Sequence, residues 1–181
     1  SMLPDSQKPD IQEGDLDIIG QPMDFLGINF YTRLTYSAPI EEGTFYAEHA
    51  HLEPKTDIGW EIHPQAFTDL LVSLNQQYSL PPIYITENGA AIDDHLVDGE
   101  VQDSQRIDYY NKHLNALHDA IALGVVVHGY FAWSFMDNFE WAEGYLKRFG
   151  LVYVDYSNQQ RTLKHSAVAY KKLLAERHDP I

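Results

Sequence analysis

Residues 81–94, PPIYITENGAAIDD, set one carboxylate, Glu87, between an apolar run and a glycine-bearing loop. A glutamate at a strand end, followed by Asn88 and Gly89, sits on a rigid element and is presented by a tight turn. That placement suits a nucleophile or a general base. The same residue would serve equally as a loop cap or as the partner of an arginine. Tyr31, at the end of another apolar run, offers a phenol that by donating to a carboxylate would orient it and favour its charged form. A second group is WSFMDNFEWAEGY, residues 133–145, in which Trp133 and Trp141 flank Asp137, Asn138 and Glu140. Sugars present apolar C–H faces and a rim of hydroxyls, so a sugar site needs aromatic platforms beside carboxylate and amide partners. Two core tryptophans with solvated acids between them would account for the stretch as well.

Other chemistries find little support. The densest histidine cluster, EHAH at 48–51, sets His49 and His51 two apart in a loop with no convincing third ligand, so no metal is expected. The glycines are scattered and form no phosphate loop, so no cofactor is expected. Twelve basic against 27 acidic residues give a net charge of −15, which repels nucleic acid and anionic lipid and favours a neutral or cationic partner. There is no cysteine, which excludes disulfides and thiolate chemistry and fits a reducing compartment, hence a cytoplasmic location. No apolar run approaches the ~18 residues of a membrane span.

The elements that must position these groups follow a β, helix, β, helix, β, helix order. Residues 1–22, with Pro4, Pro9 and Pro22, read as a connector, and 23–181 as the folded part. MDFLGINFYT (23–32) reads as a strand, followed by a long polar loop at 37–60. A helix starts near Pro64 with Phe67, Leu70, Leu71, Leu74 and Tyr78 on one face. PIYIT (82–86) is a second strand; a long helix follows with Ile107, Tyr110, Leu114, Leu117 and Ile121 in register, ended by Gly124. VVVHGYFAWSF (125–135) is apolar on both faces, as a parallel strand covered from both sides would be. LVYVDY (151–156) is a short strand, and a last amphipathic helix lies within KHSAVAYKKLLAERH. This order favours a parallel α/β fold, in which chemistry gathers at the carboxyl ends of the strands. Asn29, Tyr31, Glu87, Trp133 and Glu140 all fall at or just beyond such ends.

FLGINFYT, GWEIHP, PPIYITENG and GYFAWSFMDNFEWAEGYLKRFGLVYVDY, in that order, closely resemble glycoside hydrolase family 1, the β-glucosidase family. The resemblance runs from about residue 22 to the C-terminus and implies the C-terminal portion of a (β/α)8 TIM barrel, strands six to eight with their helices. It implies Glu87 as the nucleophile of a retaining β-glucosidase and Tyr31 as the residue that orients it. Asn29, Trp133, Glu140 and Trp141 are implied to contact the glycone, with a cis bond between Trp133 and Ser134, while Trp60 lines the aglycone side and Phe149 lies nearby. Members that take 6-phosphorylated sugars usually replace the glutamate matched by Glu140, because a carboxylate there repels phosphate. Its presence here implies an unphosphorylated β-glucoside, galactoside or fucoside, or an oligosaccharide of these, with a 6-phospho-β-glucosidase as the alternative.

A retaining glycosidase needs a second carboxylate about 5 Å from the first. The family carries it in an Asn-Glu-Pro motif, and no such motif occurs in these 181 residues. The family's early Gln and His that grip the glycone are also unmatched. The chain is therefore expected to be inactive without the N-terminal strands. Its two open sheet edges are expected to drive association, either with that missing barrel portion or with further copies of itself. A remnant that binds sugars without turning them over is the other reading.

Overall fold

A computed structural model describes residues 9–37, 47–48 and 54–176 of the chain. A five-residue helix, α1 (Asp15–Ile19), lies within the connector and buries no side chain. Strand β1 (Leu26–Asn29) follows, then a two-stranded antiparallel ribbon of β2 (Tyr36–Ser37) and β3 (Ala47–Glu48). His49 and His51 lie outside the described residues. Helix α2 (Pro64–Gln77), strand β4 (Ile83–Asn88), helix α3 (Ser104–Ala122) and strand β5 (Val127–Ala132) complete two βαβ units. A 3-10 turn (Trp141–Glu143), the hairpin β6 (Val152–Val154) and β7 (Arg161–Leu163), and helix α4 (His165–Glu176) close the order.

The three long-range strands form one parallel sheet in the order β1-β4-β5, with Leu26 beside Ile83 and Ile83 beside Val127. Parallel neighbours need a crossover, and α2 and α3 supply both on the same face. Local signals set the helix ends. Pro64 opens α2 while the His63 ring accepts from the Ala66 N–H at 3.1 Å, and Gly124 closes α3 at a φ of 93°. Against the helices the sheet packs Phe30, Ile83, Ile85 and Val125 on Phe67, Leu71, Ala116, Leu117 and Ala120, all buried. Phe30 and Phe67 stack at 4.7 Å. A second cluster joins Ala90, Ile92, Tyr109, Tyr110 and Leu151 under α4.

The other face of the sheet carries Phe25, Tyr84, His128 and Phe131, in edge contacts of 5.5 Å for Phe25–Tyr84 and 6.1 Å for Tyr84–His128. No helix covers it among the described residues; Phe25 is 53% exposed and Phe131 57% exposed. The third strand is therefore covered on one side, not both, although its residues are apolar on both. Other sequence readings need correction at the edges. Leu70 and Tyr78 are exposed, because α2 turns its Phe67–Leu71 side inward and ends at Gln77, before Tyr78. Ile121 is exposed because α3 buries the stripe of Tyr109, His113, Ala116, Leu117 and Ala120 instead. The first strand is only four residues long, and LVYVDY forms a strand only over Val152–Val154, paired with the unforeseen Arg161–Leu163.

Candidate active site

Glu87 is the next-to-last residue of β4 and is half-buried. The Tyr31 hydroxyl donates to its Oε2 at 2.6 Å. Burial, and then the Glu87 carboxylate beside it, push the Tyr31 phenol far above its ordinary pKa, so it remains a donor. Behind the pair sits Asn88, fully buried. Its Nδ2 donates to the Phe30 carbonyl at 2.7 Å and to the Tyr109 hydroxyl at 3.0 Å, and its Oδ1 accepts from the Tyr130 hydroxyl at 2.6 Å. Tyr109 in turn donates to the Tyr31 carbonyl at 3.3 Å, and the Phe30 N–H donates to the Glu87 carbonyl at 2.9 Å. One amide side chain thus joins β1, β4, β5 and α3 directly beneath the carboxylate, each polar atom satisfied.

The β5 strand delivers the second wall. The Trp133 N–H donates to the Asn88 carbonyl at 2.8 Å, and the Trp133–Ser134 peptide bond is cis. A Cβ on Gly89 would stand 1.8 Å from the Trp133 carbonyl oxygen, so only glycine lets the two strand ends approach this closely. The chain then runs to Glu140, whose Oε1 accepts from the Trp133 indole N–H at 3.3 Å. Burial, followed by the Glu87 charge, raises the Glu140 pKa, while the indole bond opposes them. Trp60, Tyr31 and Phe149 complete an aromatic triangle with ring centres 5.3 to 6.0 Å apart.

These groups enclose a cavity of about 270 Å³ lined by Tyr31, Trp60, Glu87, Trp133, Asn138, Phe139, Glu140, Trp141 and Phe149. Two acids, one amide, a phenol and all three of the chain's tryptophans meet there. Indole faces beside carboxylates match the alternating apolar and hydroxyl surface of a sugar ring. Among the described residues no group of three His, Cys, Asp or Glu converges as a metal site would require. No helix among them is long and apolar enough to cross a membrane.

The structure brings together Glu87, Tyr31, Trp60, Trp133, Glu140, Trp141 and Phe149, seven of the eight residues singled out from sequence. They do not stand alike: Trp141 is 85% exposed at the rim, and Phe149 is 2% exposed behind Tyr31. Asn29 is outside the cavity. The register between β1 and β4 shifts at Asn29, and its Oδ1 accepts from the Thr86 hydroxyl at 2.6 Å on the uncovered sheet face. Phe139 was missed as a lining residue, since an aromatic between two acids carries no signal of which way it faces. The Asn88–Tyr109–Tyr130 hub was missed because its members are far apart in sequence.

Fold and cavity together define an α/β protein with a carboxylate-and-indole site at the carboxyl ends of parallel strands. The chain belongs to glycosyl hydrolase family 1, whose profile matches residues 2–179. A beta-glucosidase from an Agrobacterium species is 45% identical over 169 residues, 91% of this chain and 37% of that protein. The crystal structure of a beta-glucosidase from Exiguobacterium marinum superposes with a TM-score of 0.90 at 44% identity, over 95% of this chain and 39% of that one. A 6-phospho-beta-galactosidase from Streptococcus mutans is 44% identical over 170 residues, 83% of this chain and 36% of that protein. The chain thus spans well under half the length of these relatives, and its three parallel strands are the C-terminal part of a (β/α)8 barrel.

Proposed function

We propose that the chain is the nucleophile-bearing part of a retaining β-glucosidase acting on an unphosphorylated β-glucoside or oligosaccharide, and that it turns over only with the N-terminal strands present. The observation that carries this reading is the 2.6 Å bond from Tyr31 to Glu87 inside a cavity walled by all three tryptophans. Glu87 attacks the anomeric carbon as the glycosidic oxygen leaves, forming a glycosyl-enzyme that water then cleaves. Tyr31 holds one carboxylate oxygen so that the other faces the sugar. Trp133 carries the ring, with Glu140 and Trp141 holding outer hydroxyls and Trp60 on the leaving-group side.

The protonating carboxylate comes from the Asn-Glu-Pro segment of the absent strands. General-acid assistance is worth roughly 10²–10⁴-fold, so the chain alone is a poor hydrolase. Glu140 does not take that part, since its carboxylate is engaged by the Trp133 indole. The test is a 2-fluoro glycoside with a good leaving group, which needs no acid to react. Mass spectrometry is expected to find the label on Glu87, and Glu87→Gln to abolish it; a label on any other residue removes Glu87 from this role.

A second reading draws on the exposure of the cavity rim: the chain binds sugars without hydrolysing them. Because all three tryptophans line the cavity, their fluorescence reports on it directly. Titration with cellobiose and with glucose 6-phosphate separates the substrate classes. The Glu140 carboxylate predicts a saturable response to the first and none to the second.

A further inference from the structure

The stretch after Trp133 is held from below by a group of charges that the proposed mechanism does not use. Asp137, three residues before Glu140, is 3% exposed. It accepts from Lys164 Nζ at 2.7 Å, Arg148 Nη1 at 2.6 Å and the Gly150 N–H at 3.0 Å. Lys164, fully buried at the start of α4, also donates to Asp94 at 2.6 Å. Asp94 belongs to the loop that leaves Glu87; Arg106 Nη2 donates to the same Oδ2 that Lys164 reaches, at 2.6 Å, and Arg106 Nη1 to Oδ1 at 3.1 Å. Arg106 further bonds Asp103 and donates to the Arg148 carbonyl at 2.8 Å. Three carboxylates and three cations are therefore in balance, most of them out of water.

Removing one member of such a group leaves its partner's charge buried and unpaired, so the group holds its members in one arrangement. Its topology matters more than its strength. Lys164 bonds a carboxylate of each loop, Asp94 of the loop after the Glu87 strand and Asp137 of the loop carrying Trp133 and Glu140. Arg106 ties Asp94 to the Arg148 carbonyl farther along the second loop. The second loop has a further tie, because Asn138 Nδ2 donates to the Ser134 hydroxyl at 3.1 Å and the Asp137 N–H to the Val152 carbonyl at 2.9 Å.

We propose that Lys164 is a positioning residue for the sugar cavity, setting the Trp133–Glu140 wall relative to Glu87 through its paired bonds to Asp137 and Asp94. This deepens the β-glucosidase reading and rests on it for the identity of the ligand, but not for the geometry. The experiment uses the indole N–H resonances of the 181-residue chain, one for each of its three tryptophans, assigned by single Trp→Phe changes. Lys164→Met is expected to move the Trp133 resonance. Asp94→Asn, on the opposite loop, is expected to move it too, but not when Lys164→Met is already present. A fall in thermal stability with Trp133 unmoved, or additive shifts in the double variant, would overturn the proposal.

Should Lys164→Met fail to fold, Asp94→Asn and Asp137→Asn form the same test, with non-additive shifts expected and additive ones overturning it. With the fluoro-glycoside, Lys164→Met is expected to slow labelling of Glu87 by about 100-fold, the size of effect a displacement of about 1 Å produces. Absence of label on the wild-type chain would count against the β-glucosidase reading alone, because the resonance shifts need no sugar.

Discussion

The two faces of the three-stranded sheet differ in everything but their amino-acid character. Toward α2 and α3, Phe67, Leu71 and Ile85 are wholly buried and Ile83 is 1% exposed. On the other side Phe25 and Phe131 are more than half exposed, and Thr86 is exposed as well. Glu87 stands at the rim between the two. The groups beneath it (Asn88, Tyr109, Tyr130 and the Phe30 backbone) belong to the covered side, while Tyr31, bonded to its carboxylate, lines the cavity. The Glu87 side of the cavity is therefore organised by this chain's own core, while the opposite wall of the proposed sugar site would come from whatever meets the open face. The comparison implies that changes on the covered side disturb site and stability together, whereas changes on the open side disturb only completion.

The largest effect is expected at Gly89, where strand end meets strand end. A methyl group there would collide with the Trp133 carbonyl at 1.8 Å, and backbone on both sides leaves no flexible atom to yield. Gly89→Ala is expected to cost about 4 kcal/mol. A urea midpoint within error of wild type would mean that the strand ends are farther apart than described.

Next comes Asn88. Asn88→Leu keeps the volume but leaves the Phe30 carbonyl and the Tyr130 hydroxyl without their partner, and removes a donor from Tyr109. Stranding buried polar groups is expected to cost about 3 kcal/mol. Labelling of Glu87 by the fluoro-glycoside should fall in the folded fraction as well. Lost stability with full labelling would separate the hub from the site and break the comparison.

The fold was more legible than the site's supports. Apolar runs and helix punctuation such as Pro64 and Gly124 are local signals, so the βαβ order was readable directly. Glu87, Tyr31, Trp133 and Glu140 were readable as candidates because three short motifs carry them. Asn88, Tyr109, Lys164, Asp94 and Arg106 were not, because a buried polar residue looks in sequence like a solvated one until its distant partner is known. Arg106 and His113 lie in a helix whose charged positions read as its outer face, yet both are fully buried. Asn29, carried by the same motif as Tyr31, keeps the alternation of β1 and lies on the uncovered face, bonded to Thr86.

His113 gives the covered side a dependence on pH. It lies among Phe30, Phe67 and Tyr109, stacked on Tyr109 at 3.9 Å, with Nδ1 donating to the Tyr109 carbonyl at 2.9 Å. Its Nε2 is the one buried side-chain polar atom without a partner among the described residues. Burial lowers its pKa from 6.5 to about 4, opposed by the Tyr109 bond and helped by the neighbouring Lys112 and His63. The unfolded chain takes a proton below pH 6.5 while the folded one resists until about pH 4. Stability from this group is thus full above 6.5 and falls with pH through that window. His113→Phe is expected to shrink the stability difference between pH 7 and pH 4.5 by about 2 kcal/mol. Parallel urea curves at the two pH values would show an unchanged difference if His113 were charged when folded.

The smallest effect is expected at Phe131, and it tests the open face itself. Its ring is 57% exposed, so Phe131→Ser removes little burial and should alter the stability of the isolated chain by no more than about 0.5 kcal/mol. Ile85→Ala, one strand away on the covered side, should cost about 2–5 kcal/mol in the same titration. Adding the N-terminal strands of a family relative should make the serine costly, since the aromatic ring would then be buried against them. If the isolated chain already suffers from Phe131→Ser as much as from Ile85→Ala, a second copy must cover that face in solution. Sedimentation of the wild type at falling concentration would then reveal the dimer dissociating, and self-association would replace the missing strands as the occupant of the open side.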